Sequence, residues 1–474
     1  MANEERTEAT TENVADTATR TEVVDMTKGP ILGPLVRFAI PLMISTALQM
    51  AFTAADMAVL GQFANSQAVA AVGATDSLLF LIVELFAGMS VGATVVISNS
   101  LGAHERDLRS QVQTALALAL CFGLVTMAIG LLGSPTFLVW MQTPADVLDQ
   151  AILYLRIYFV GQPAAMVYWF GRAIIVPTGD TRRPLYYLAA AGVLNVALNL
   201  FFVLGFGMDV AGVAIGTAAS QLLGAFLVVR RLMALEGPVR LDLSRISVDS
   251  SSARRILVVG VPAGIQTVLF NISNVIVQSS VNQLGTAYVA GSAASMTVEG
   301  FAYIGMEAIS QGGMAFVGQC YGARDYARIR KVCRMVIVLT LITGFSFAAV
   351  VVMARLQLLG LFLTDSAEAM VVASWRVTLF TLTFPVCGIM DAVSNVLRGM
   401  KRSIFPLVAT IAGSVVFRIA WVLTVFPWAF ANTTHPEAYK LLMVSYPVTW
   451  ALIALAVSAY YFVLMRRLES GRTH

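Results

Sequence analysis

GATDSLLFLIVELFAGMSVGATVVISNS, residues 73–100, runs directly into Leu101-Gly-Ala103 and a loop carrying Arg106 and Arg109. A helix that crosses the ~30 Å hydrocarbon core of a bilayer needs about 20 mostly apolar residues. This stretch is long enough, and only Asp76, near its mouth, and Glu84, well inside, interrupt it with charge. Working outward from it, further apolar segments fall near 34–60, 112–134, 149–176, 184–205, 211–229, 256–284, 288–318, 335–354, 370–397, 404–427 and 441–465, which makes twelve spans in all.

The whole chain agrees with that reading. Of its 474 residues 58% are hydrophobic and 12% charged, against about 25% charged in soluble proteins, and the mean hydropathy is +0.78. This excludes a soluble enzyme, a disordered chain and a disulfide-rich secreted module, and predicts an all-α polytopic membrane protein. The cysteines Cys121, Cys320, Cys333 and Cys387 form no CxxC pair and read as packing residues, so no structural metal site is expected. No phosphate-cradling loop, metalloprotease helix or nucleophile elbow occurs, so the chain is not expected to be an enzyme.

Charge placement orients the spans. Assigning loops to alternate sides puts 24 of the 31 Lys and Arg on the side of the termini and only Arg355 and Lys440 on the other; the remaining five lie in or at the ends of spans. The positive-inside rule then makes both termini cytoplasmic, in the cell membrane, and explains the net charge of +4 without a nucleic-acid partner. Residues 1–30 read as a disordered cytoplasmic tail, because the first 25 are rich in Thr, Glu and Ala without an apolar core.

The stretch quoted first has a counterpart. At an offset of 220 to 222 residues, Ala39-Ile-Pro41 faces Gly260-Val-Pro262, Gln62 faces Gln283, Leu101-Gly-Ala103 faces Tyr321-Gly-Ala323, and Pro163 faces Pro385. A duplicated unit of six helices follows, both copies inserted in the same sense and related by an axis along the membrane normal. We therefore expect a first lobe over 31–235, a polar linker over 236–255, and a second lobe with a short cytoplasmic tail over 256–474. Pro41 and Pro262 are candidate hinges, since a proline removes a helical hydrogen bond; static kinks are the alternative.

Polar groups within spans are costly, roughly 2.5 to 3.5 kcal/mol for a carboxylate on insertion scales, and each needs a partner, water or a function. Gln49, Thr53 and Asp56 share one face of the first span; Asn195 and Asn199, one turn apart, share a face of the fifth, and Thr217 adds a hydroxyl from the sixth. Such an oxygen set suits a proton or a hard cation such as Na⁺, the only metal expected; a hydrogen-bond network that glues helices is the alternative. For the substrate cavity the candidates are Gln49, Thr53, Glu84, Glu299, Tyr303, Glu307 and Asp391. Asp391 is also the expected counter-ion of Arg418, which lies inside span eleven.

Several local patterns in this order resemble those of the multidrug and toxic compound extrusion (MATE) exporters: Asp25-Met-Thr-Lys-Gly-Pro30, Ala54-Ala-Asp56 with Gly61, Gly179-Asp-Thr-Arg-Arg-Pro184, Asn195 with Asn199, Val210-Ala-Gly-Val-Ala-Ile-Gly216, Leu397-Arg-Gly399 and Ser445-Tyr-Pro-Val-Thr-Trp450. The resemblance implies a V-shaped pair of six-helix lobes that exports organic cations or amphipathic compounds in exchange for H⁺ or Na⁺. It implies a first-span coupling acid at Asp56, an N-lobe cation site with Asn195, Asn199 and Thr217, and bending at Pro41. The chain departs from some members in carrying Asn199 where they have a second Asp, and from others in having no acid over 266–271. No cofactor beyond the coupling ion, no nucleic acid, and a monomer in the bilayer complete the expectation. A flippase for a lipid-linked saccharide and a non-transporting membrane scaffold are the rival readings; a more cationic cavity would favour the first.

Overall fold

The computed structural model describes residues 24–64, 66–363 and 366–470. Most of the tail expected to be disordered lies outside these residues, but its last part is ordered. Val24 donates its backbone N–H to Thr178 O (2.9 Å), and Met26 is buried.

The described residues form twelve long helical segments. In the first half they are α1 (Leu32–Phe63), α2 (Ser66–Gly102), α3 (Leu108–Trp140), α4a (Ala145–Val160) with α4b (Gln162–Ile175), α5 (Arg182–Phe206) and α6 (Asp209–Ala234). The second half has α7 (Ser250–Asn282), α8 (Thr286–Gly322), α9 (Tyr326–Gly360), α10 (Ala367–Gly399), α11a (Ile404–Thr410) with α11b (Arg418–Asn432), and α12 (His435–Glu469). A lipid environment offers no water to free N–H and C=O groups, so each span must satisfy its backbone internally. Ten of the helices are long and apolar enough to cross a membrane, and α4a with α4b, bent by 47°, makes an eleventh.

The remaining segment, α8, is long but falls short in apolarity. It carries Glu299, Glu307 and Gln311 and packs against helices of both halves, so much of its surface meets protein instead of lipid. Helix α7 starts at Ser250, earlier than the apolar pattern near 256, because Asp249 caps it by accepting from Ser252 N (2.7 Å).

The duplication is visible in the helix ends. At the C-terminus of α2, Ala103 N donates to Asn99 O (2.9 Å), His104 N to Leu101 O (3.2 Å) and Glu105 N to Ser100 O (3.0 Å). At the end of α8 the same three bonds join Ala323 to Gln319 (3.0 Å), Arg324 to Tyr321 (3.1 Å) and Asp325 to Cys320 (3.0 Å). His104 and Arg324 both take positive φ, 52° and 57°, as this kind of helix stop demands.

Pro163 marks the break between α4a and α4b, where Gly161 ends the first piece. Pro41, Pro262 and Pro385 sit inside unbroken helices. Helix α1 straddles the lobes about Pro41. Leu35, Phe38 and Leu42 belong to the core of the second half, with Phe38 edge-on to Phe316 (5.8 Å), whereas Phe52 lies on α5 at Gly192. The lobes also meet where α2 and α7 cross, Gly88 on Gly264 and Gly92 on Gly260.

The C-lobe core holds two buried arginines. Arg376 makes a bidentate pair with Glu299 (Nε–Oε1 3.0 Å, Nη2–Oε2 3.2 Å) and sits 4.7 Å over the Phe380 ring. Arg418 is 1% exposed and follows a π-helical turn over Ile411–Phe417. Its partner is not Asp391, as expected from sequence: it donates to Asn274 Oδ1 (2.8 Å) and Thr449 Oγ1 (3.1 and 3.2 Å) and lies 4.1 Å over the Tyr446 ring. Neutral oxygens and an aromatic face therefore stabilise the guanidinium, and among the described residues no carboxylate is paired with it.

Removing one member of a buried ion pair leaves the other uncompensated, at a cost of about 3–5 kcal/mol, whereas replacing both is often tolerated. The Glu299→Gln variant should therefore unfold in detergent at a clearly lower temperature than wild type, and Glu299→Gln/Arg376→Met should recover most of the loss; thermal unfolding followed by tryptophan fluorescence measures both.

Candidate functional site

Three helices bring the N-lobe polar residues together. Asn195 and Asn199 lie one turn apart on α5 and face α1. Two glycines make the approach possible: Gly192 admits the Phe52 ring onto the α5 backbone, and a Cβ at Gly216 of α6 would fall on Asn199 Oδ1. Asn199 Nδ2 donates to Asp56 Oδ1 at 2.6 Å. With its amide oriented so that both ends are satisfied, Asn195 also donates to Asp56 Oδ1 (2.7 Å), and its oxygen accepts from Thr217 Oγ1 (3.2 Å). All four N-lobe candidates thus form one chain from carboxylate to hydroxyl.

The burial of this cluster is graded. Asn195 and Asn199 are 5% and 0% exposed, Asp56 is half-buried, and Gln49 and Thr53 on the same helix are exposed. Gln49 and Thr53 do not join the cluster; Thr53 Oγ1 donates back to Gln49 O (3.1 Å). Asn199 Oδ1 is buried without a hydrogen-bond partner. A spare acceptor beside a carboxylate is a ligand for a proton donor or a hard cation, and buried polar atoms rarely stay unpaired without such a reason.

The remaining candidates separate. Glu299, 6% exposed and held by Arg376, is part of the C-lobe core and not of a cavity wall, and Tyr303 packs edge-on against Phe384 (5.8 Å) instead of pairing with Glu299. Glu307 accepts from Gln311 Nε2 (3.0 Å), the pairing their four-residue spacing allows. Glu84, on α2 of the other lobe, is half-buried and lies within electrostatic reach of Glu307, as Arg172 does. Asp391 lies near Arg398, which donates to Asn395 Oδ1 (2.8 Å) and Gln266 Oε1 (2.8 Å). Gln266 continues to Thr410 Oγ1 (2.9 Å), so a polar chain of the C-lobe links α7, α10 and α11a.

Sequence reasoning did not pick out Arg376, Asn274 or Thr449. Arg376 had no signal beyond being a charge inside a span. Asn274 and Thr449 are ordinary residues until Arg418 reaches them. Glu84 and Glu307 fit no repeat register, and only the packing of α2 on α8 brings their charges close.

Twelve helices in two duplicated lobes, with polar groups converging inside each lobe, define a polytopic membrane protein of the transporter class. The chain belongs to the multidrug and toxic compound extrusion family: the model described as MatE matches residues 41–201 and again 262–424, once in each half. It is 28% identical over 447 residues to the probable multidrug resistance protein YoeA of Bacillus subtilis, covering 92% of this chain and 94% of that one. It is 22% identical over 404 residues to the multidrug export protein MepA of Staphylococcus aureus, covering 84% and 88%. Among solved structures, an outward-facing multidrug-resistance MATE transporter superposes with a TM-score of 0.86 at 19% identity, covering 95% of this chain and 99% of that one. A transporter of the same superfamily from Pyrococcus furiosus, described as having a binding pocket of reversed polarity, superposes with 0.85 at 20% identity, covering 94% and 99%.

Gly216 supplies a test of the cluster that leaves its charge untouched. Gly216→Ala should push the Asn199 amide off Asp56 and lower efflux of a fluorescent dye from expressing cells at least tenfold at unchanged protein level, whereas Thr217→Ser, which keeps the hydroxyl, should stay within about twofold of wild type.

Proposed function

We propose that this chain is an ion-driven antiporter that exports organic cations or amphipathic compounds across the cell membrane, with the coupling ion, H⁺ or Na⁺, taken up at Asp56. The observation that carries the reading is the half-buried Asp56 carboxylate gripped by the Asn199 amide at 2.6 Å, next to a buried acceptor without a partner. Asp56 receives the ion, Asn199 and Asn195 orient the carboxylate, and Thr217 fixes Asn195.

Ion binding couples to transport only if it favours one arrangement of the lobes over the other. Helix α1 is placed to transmit that preference, because its first half packs on the C-lobe core and its second half carries Asp56 against α5. Glu84 and Glu307, one from each lobe, give the space between the lobes its preference for cationic guests. The excess of Lys and Arg on the loops of the terminal side supports cytoplasmic termini, and the names of the relatives, a probable multidrug resistance protein and a multidrug export protein, support a broad substrate range.

The test is efflux of a fluorescent organic cation from proteoliposomes under separately imposed pH and Na⁺ gradients. Wild type should respond to one gradient, which names the ion, and Asp56→Asn should lose at least tenfold of that driven rate. Equal driven rates in the two proteins would remove Asp56 from the coupling site and point to Asp391 and its neighbours.

A further inference from the structure

The two motifs that revealed the duplication, Leu101-Gly-Ala103 and Tyr321-Gly-Ala323, meet each other across the lobes at the end of the molecule that bears the basic loops. A Cβ on Gly102 would fall on the backbone carbonyl of Gln319, and a Cβ on Gly322 on that of Asn99. Only glycine at both positions lets α2 and α8 come so close. Next to them, a Cβ on Gly318 would meet the Ser98 side chain at 2.6 Å.

This close crossing positions two buried amides, each 2% exposed and 220 residues apart like the motifs themselves. Asn99 Nδ2, from the N-lobe, donates to Gly399 O at the end of α10 (2.9 Å). Gln319 Nε2, from the C-lobe, donates to Pro177 O at the end of the fourth span (2.9 Å). Each lobe's second helix thus grips the end of the other lobe's fourth span, in mirrored roles. Both bonds cross from one lobe to the other, so they exist only while the lobes are together at this end.

We propose that Asn99 and Gln319 are positioning residues of the transport cycle: their crossed hydrogen bonds, brought to contact distance by Gly102 and Gly322, hold this end of the inter-lobe cleft shut and must break whenever it opens.

The two halves of the clasp are unequal. Gln319 Oε1 also accepts from Met26 N (2.8 Å), in the segment before α1. Arg328 holds that segment through the carbonyls of Met26 (3.0 Å), Lys28 (2.8 Å) and Gly29 (3.0 Å), and Val24 N bonds Thr178 O (2.9 Å) on the N-lobe. The segment is therefore a strap from one lobe to the other that passes through Gln319. Asn99 Oδ1, by contrast, is buried with no partner. Gln319 Nε2 also reaches Val24 O (3.4 Å), so loss of Gln319 removes three bonds to the strap and the other lobe, and loss of Asn99 removes one.

The clasp is independent of the ion and substrate; its place in a cycle rests on the alternating-access reading, and its test reads distance without transport. Spin labels at Asp107→Cys and Arg402→Cys, exposed positions on opposite lobes, in a Cys121→Ser background, should give one short distance by double electron–electron resonance. Gln319→Leu should add a population longer by several ångströms, Asn99→Leu a smaller one, and Gly322→Ala a longer one. A second readout covers any variant whose distances are blurred: the buried Ser98→Cys thiol should react with a water-soluble maleimide at least tenfold faster when Gln319→Leu is present. Unchanged distances and unchanged alkylation in variants that elute as folded protein would overturn the proposal. Opening of the clasp in a protein whose Asp56→Asn variant still couples to the ion would sink the coupling reading and leave the clasp standing.

Discussion

Water is absent from the middle of a bilayer, and the polar groups of this chain are arranged by that fact. Within the spans, each buried charge finds a specific answer. Arg376 and Glu299 neutralise each other, Arg418 is solvated by Asn274, Thr449 and the face of Tyr446, and Asp56 is held by two amides. The answers differ in kind. A bidentate pair with both partners almost fully buried has no free ligand position and serves the core. A half-buried carboxylate with a spare acceptor at its side has one.

Close packing of helices supplies the second constraint. Without a hydrophobic drive between helices in lipid, association depends on small residues that let backbones approach. The lobes touch where glycines face each other or a backbone carbonyl, at Gly88 and Gly264, Gly92 and Gly260, and Gly102 and Gly322. These contacts lie toward the end that bears the basic loops, so the lobes are joined there. Helix α1 is shared between them, and its Leu35, Phe38 and Leu42 enter the core of the second half together with Met26 and Val176.

Much of this was legible before any coordinates. The number of spans followed from apolar runs, and the two-lobed plan from an offset of 220 to 222 residues that the family match reproduces in two pieces. The N-lobe cluster was legible too, because Asn195 and Asn199 obey helical spacing and Asp56 is a conspicuous acid. In the C-lobe one pairing was misread, because spacing had to stand in for contact. Arg418 and Asp391 are charges of opposite sign that do not meet, and Glu299 finds its partner, Arg376, on another helix.

Sequence by itself determined which segments become the long apolar helices of a membrane protein, because hydropathy and helical period are local properties that one chain position shares with its neighbours a few residues away. It also determined that there are two copies of one plan. Which side chains pair across helices was decided only by the tertiary structure. Those partners lie 77 residues apart for Glu299 and Arg376, 143 for Asp56 and Asn199, and 300 for Asn99 and Gly399, and their meeting depends on helix rotation and on glycines that permit contact. No local pattern encodes a rotation about a helix axis, so the grip on Asp56 emerges only when α1, α5 and α6 pack within the first lobe, and the crossing of Asn99 with Gln319 only when the two lobes meet.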